Sequence, residues 1–169
     1  MKPLHALIVF VLIAGVAVAD SKTKPTPATP DGAGFTVIFP SEFKETSKDI
    51  ATTAGNMTVT TFRVELKSVV YSVSYADYPE ALGKLDPEQI LAGVRDGMKG
   101  NDGIMKRDDR RDLDGVIGRE VVIEADRNQI RGRIFLSKRR LYQVLVSGKK
   151  SNIIDKDADA FFSSFAWTK

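Results

Sequence analysis

The sequence contains no cysteine, and its single histidine is His5. The first absence removes disulfide staples, cysteine nucleophiles, cysteine-ligated iron–sulfur clusters and lipid attachment at a cysteine. Beyond residue 5 the chain cannot build a Ser-His-Asp triad, a Cys-His pair or the usual zinc site. Histidine is also the commonest general acid or base. Catalysis would therefore fall to carboxylates, lysine, tyrosine or a Ser–Lys pair. Strong charge of one sign is missing too, with a formal net charge of +3 over 169 residues. In Lys106-Arg107-Asp108-Asp109-Arg110-Arg111-Asp112 opposite charges alternate in short blocks. Such a segment largely neutralises itself, which argues against a nucleic-acid partner.

What is present begins with an export signal. Lys2 supplies a positive start, Leu4 to Val18 is almost wholly apolar, and Ala17-Val18-Ala19 fits the small-x-small rule. This predicts cleavage before Asp20 and a protein that is periplasmic or secreted. The alternative is a retained anchor, but the run is shorter than the roughly 20 apolar residues of a spanning helix. Removing residues 1–19 leaves 150, enough to bury one sizeable core. Lys24-Pro25-Thr26-Pro27-Ala28-Thr29-Pro30 predicts an extended, mobile linker over 20–33. A single domain then covers 34–169.

Within that domain short strands dominate. Phe35–Phe39 reads as a strand closed by Pro40, and Ile50 to Thr53 as a second. Met57 to Leu66 is a third, with apolar Met57 and Val59 out of phase with Phe62, Val64 and Leu66. That slip predicts a β-bulge near Thr60-Thr61. Ser68 to Ala76 alternates as a half-buried antiparallel strand does. Asp86 as N-cap, Pro87 at the first helical position and an Ile90, Leu91, Val94, Met98 stripe predict a helix that Gly100 stops. Ile104 to Leu113 reads as a charged edge strand, turning at Asp114-Gly115. Val116 to Ala125, Gln129 to Ser137 and Arg140 to Ser147 follow as strands. Ala158, Phe161, Phe162 and Phe165 mark a last helix from about Asp155, and Ala166-Trp167 a short closing strand. Strands and helices do not alternate, so the expected class is α+β: an antiparallel β-sheet flanked by helices.

Several constellations could carry chemistry. Asp108 and Asp109 are neighbours on a strand and point to opposite faces, so they cannot form a hydrolase carboxylate pair. Glu120 and Glu124 are the other acidic candidates. Asp155-Lys156-Asp157-Ala158-Asp159 opens like a calcium loop, but Ala160 and Ala166 stand where that loop needs Gly and Glu. The aspartates are better read as favourable charges in a first helical turn. No metal site or cofactor is expected. Asn56-Met57-Thr58 matches a glycosylation sequon. The hairpin with Arg131, Arg133, Lys138, Arg139 and Arg140 is basic. Arg131 and Arg133 would face outward together and could meet an anionic lipid, glycan or acidic protein patch. Otherwise they pair across the sheet with Glu120 and Glu124.

Four segments resemble the PsbP-like superfamily. Phe35-Thr36-Val37-Ile38-Phe39-Pro40 resembles its opening strand, and Leu113-Asp114-Gly115-Val116-Ile117-Gly118-Arg119-Glu120 its mid-domain hairpin. Arg133-Ile134-Phe135-Leu136 with Arg140-Leu141-Tyr142-Gln143-Val144 resembles its late strand pair, and Phe161-Phe162-Ser163-Ser164-Phe165 its closing helix. The likeness spans about Phe35 to Trp167, and Ile117 stands where many relatives carry proline. It implies an antiparallel sheet flanked by helices. It implies no catalytic residues, since relatives serve as photosystem subunits or bind a small GTPase. The chain is most similar to exported bacterial members. The expected function is a non-catalytic interaction or accessory role with a protein partner. The alternatives are an anionic-ligand binder and a carboxylate-based hydrolase.

Overall fold

Alternation along the strands dictates the architecture, because it requires something to cover each apolar face. A computed structural model describes residues 24–52, 55–80 and 85–168. The export signal expected over Met1–Ala19 lies outside the described residues. The strands are β1 (Thr26–Ala28), β2 (Phe35–Phe39), β3 (Lys44–Thr52), β4 (Gly55–Leu66), β5 (Val69–Asp77), β6 (Ile104–Arg110), β7 (Ile117–Ala125), β8 (Asn128–Ser137), β9 (Arg140–Lys149) and β10 (Ala166–Trp167). The helices are α1 (Pro87–Lys99) and α2 (Asp155–Ser164).

Seven strands form one antiparallel sheet in the order β3-β4-β5-β9-β8-β7-β6. The chain meanders through β3, β4 and β5, crosses the sheet in α1, and returns from the far edge to lay β9 beside β5. Helix α1 starts where Asp86 accepts hydrogen bonds from the Glu88 and Gln89 amides at 2.8 and 3.3 Å. It buries Ile90, Leu91, Val94 and Met98 against Val121, Ile123, Ile134, Leu136 and Leu145. Gly132 permits this contact, because a Cβ there would lie 2.9 Å from Leu145 and 3.1 Å from Met98.

The opposite sheet face carries a second core. Phe161 and Phe162 of α2, with Phe165 just beyond it, pack with Phe35, Val37 and Phe39 of β2 against Phe62, Tyr71, Val73, Phe135, Tyr142 and Val144. A three-stranded sheet, β1-β2-β10, joins this layer. Full burial of each such aromatic is worth about 1.5–3 kcal/mol.

Two cores explain where the strand readings fail. No bulge occurs at Thr60-Thr61; both ladders of β4 run unbroken there. The phase slips because Met57 and Val59 serve the α1 core while Phe62 and Val64 serve the α2 core. A real register shift lies in β6, between Met105 and Arg107. Strand β5 is not half-buried either, since Ser74 and Ala76 on its second face are also covered. Strand β3 is longer than Ile50 to Thr53, because an edge strand paired on one side tolerates the polar run from Lys44. The expectation of a mobile linker through Ala33 fails for Thr26–Ala28, which pairs with β2. Pro27 is tolerated on this edge strand, and Ala28 and Ala33 are buried in the core beside β2.

Candidate functional site

Arginines on β6, β7, β8 and α1 meet carboxylates on both sheet faces. On the α1 face Asp108 accepts from Arg95 and Arg119, each at 2.6 Å, and Arg119 reaches Glu88 at 3.1 Å. Burial pushes the Asp108 carboxyl up, but its two arginine partners together hold it below the usual carboxylate value. Asp109 points the other way, to Arg107 at 3.3 Å. On the α2 face Glu120 lies between Arg133 at 2.9 Å and Arg107 at 2.8 Å. Burial raises it and these arginines more than compensate.

The five basic hairpin residues do not share a surface. Arg131 and Arg133 do lie on one face, but α2 covers it, so their expected outward display is corrected. Arg131 donates to Asp155 at 2.9 Å and Asp159 at 2.6 Å. Arg133 donates to Glu120 and to the Phe162 carbonyl at 3.1 Å, with its guanidinium 5.0 Å from the Phe162 ring centre. Both clamp the helix to the sheet. Of the two expected cross-strand partners, Glu120 does take Arg133, whereas Glu124 takes Lys150 at 2.6 Å and Lys106 at 3.9 Å. Arg140 forms a two-pronged pair with Asp77, both contacts 2.6 Å, and lies over Tyr75. That hydrogen bonding lowers the Asp77 pKa. Lys138 and Arg139 form the exposed β8–β9 turn.

Two concavities remain. One lies over Val59, Ser74, Ala76, Leu141 and Gln143, with no room for a water-sized group. The buried Gln143 Oε1 and, separately, Tyr78 Oη lack hydrogen-bond partners. Burial pushes the Tyr78 hydroxyl up to about 12. The other is an open cleft of about 580 Å³ lined by Arg127, Lys149, Lys150 and Ser151. Neither holds a carboxylate. Sequence reasoning missed the second, because Arg127 and Lys149 lie 22 positions apart in the chain and meet only through the Asn128–Lys149 pairing. The signal that could have found it is a cation at each of two strand ends sharing one end of the sheet.

Among the described residues no helix is long and apolar enough to cross a membrane. No protein-family model matches the sequence, and no curated protein does. A solved structure does match: cyanobacterial PsbP (CyanoP) from Synechocystis sp. PCC 6803, determined in solution. The TM-score is 0.58 at 13% identity, covering 91% of this chain and 98% of that one. Identity at that level speaks to the fold alone, and this chain's two antiparallel sheets and two helices are consistent with it. The chain has a PsbP-like α+β fold.

Proposed function

We propose that this protein works outside the cytoplasm as a non-catalytic interaction or accessory module with a protein partner. Three carboxylates held by arginine carry this reading. Asp77, Asp108 and Glu120 are each held by arginine below the ordinary carboxylate range. Such groups stay ionised at neutral pH and are poor proton donors and weak bases. Tyr78, near 12, is no base there either. The PsbP-like fold is compatible with an accessory role, and the extracytoplasmic setting rests on the leader-like Met1–Ala19. Cross-linking in intact host cells should recover one reproducible partner that also binds the purified protein. Purified protein that turns over a substrate, and stops when one carboxylate is replaced, would end this reading.

A second reading is that the basic hairpin binds an anionic lipid, glycan or acidic protein patch. One observation favours it: Lys138 and Arg139 are exposed and have no ion pair among the described residues. Binding should weaken with salt and be lost in Lys138→Ala with Arg139→Ala. Unchanged binding by that variant rules it out.

A further inference from the structure

At one end of the seven-stranded sheet, β7 turns into β8 through Asp126 and Arg127, and β9 runs out at Lys149. The two strand ends are locked together. Asn128 pairs with Lys149, and the Lys150 amide donates to the Arg127 carbonyl at 2.8 Å. Lys150 and Ser151 then open a single 3-10 turn over Lys150–Asn152. Its last side chain donates to the Lys67 carbonyl at 3.3 Å, tying the turn to the β4–β5 hairpin. The backbone under this cleft is therefore set by the sheet.

The charges above it are not balanced in the way those of most described arginines are. Arg95, Arg107, Arg110, Arg119, Arg131, Arg133 and Arg140 all meet carboxylates. Arg127 and Lys149 meet none among the described residues, though both line the same cleft. Lys150 is steadied by Glu124 at 2.6 Å, but Glu124 also serves Lys106 and Gln129. Ser151 adds a hydroxyl on the rim, 3.2 Å from Asn152 Oδ1. An arginine, two lysines and a serine line a space of about 580 Å³. That volume falls in the range of small-molecule sites.

We propose that this cleft binds a phosphoanion, the phosphate group of a soluble ester or of a lipid headgroup. A carboxylate offers two acceptor oxygens in one plane. A phosphate group offers up to three or four in a tetrahedral arrangement, which suits a planar fork together with point charges. On this fixed backbone Arg127 and Lys149 have no internal ion pair among the described residues to break when the anion arrives, and only the Lys150–Glu124 pair competes with it. The site is distinct from the partner reading above: titration tests one, cross-linking the other.

The test titrates the protein purified from its native host with inorganic phosphate, glycerol phosphate, and vesicles of phosphatidylglycerol or of phosphatidylcholine. Amide chemical shifts report the soluble arms, and co-sedimentation reports the vesicle arms. Saturable shifts centred on Arg127 and Lys149–Asn152 are expected with a soluble phosphate if esters are the source. Sedimentation with phosphatidylglycerol but not phosphatidylcholine is expected if a headgroup is the source. In either arm Arg127→Gln with Lys149→Gln should weaken binding about tenfold or more, as loss of a charge-assisted contact does. The unfolding temperature should hold, since neither side chain supports the fold. Lys44→Gln with Lys48→Gln, exposed on the edge strand β3, should leave this binding unchanged. The proposal is overturned by no saturable binding in any arm, by equal losses in both double variants, or by binding of polyglutamate with no response to phosphate.

Discussion

At Asp108 and Glu120 burial and arginine pairing oppose one another, and pairing wins. Each therefore has a lower pKa folded than unfolded, so the unfolded chain binds more protons in the acid range. Their stabilisation is present above the ordinary carboxylate pKa and is lost as pH falls through the lowered folded value. Thermal unfolding followed from neutral pH downward should show this decline, and Asp108→Asn should flatten it. Glu120→Gln tests the other face. It weakens the contacts to Arg133 and Arg107, and the expected loss is about 1–3 kcal/mol by denaturant unfolding. The pairing of Arg133 with Glu120 was legible in the sequence as a cross-strand option. That of Arg131 with Asp155 and Asp159 was not, because the partners are 24 and 28 residues away on a helix whose docking face only the fold sets.

Elements differ in how much of their stability is local. Helix α1 carries its own start signal in Asp86, and Asp86→Ala should cost about 1 kcal/mol, measurable as a lowered denaturation midpoint. Helix α2 has Ile154 at its N-cap position and no side-chain cap. It depends on its aromatic stripe and on the clamp from Arg131 and Arg133. Phe161→Ala should therefore cost about 3–5 kcal/mol, with loss of the near-ultraviolet signal of the aromatic cluster around Phe39 and Tyr71. Both helices were legible from periodicity, and α1 from its cap as well. Strand β3 was legible only at its apolar end, near Ile50, because an edge strand with polar side chains has little pattern to read.

At the scale of the whole molecule, residues 26–33 belong to the folded body. Thr26–Ala28 pairs with β2, Tyr142 donates to the Ala33 carbonyl at 2.9 Å, and Arg140 donates to the Gly32 carbonyl. Deleting residues up to Ala33 should therefore lower the unfolding temperature by several degrees. A dispensable linker would leave it unchanged, and calorimetry of the two lengths decides.

By itself the sequence determined the α+β class, both helices, most strands, the Asp114-Gly115 turn and the absence of histidine and cysteine chemistry beyond residue 5. These follow from composition and from contacts within a few residues, which a linear reading can see. Only the tertiary structure decided that the large sheet is covered on both faces, and so that β4 changes core without a bulge. It also decided that Arg131 and Arg133 are turned inward to hold α2, and that Arg127, Lys149 and Lys150 share a cleft. Those outcomes depend on which strand ends and faces are brought together by long-range pairing. The energy of each ion pair or aromatic contact exists only after that pairing has formed.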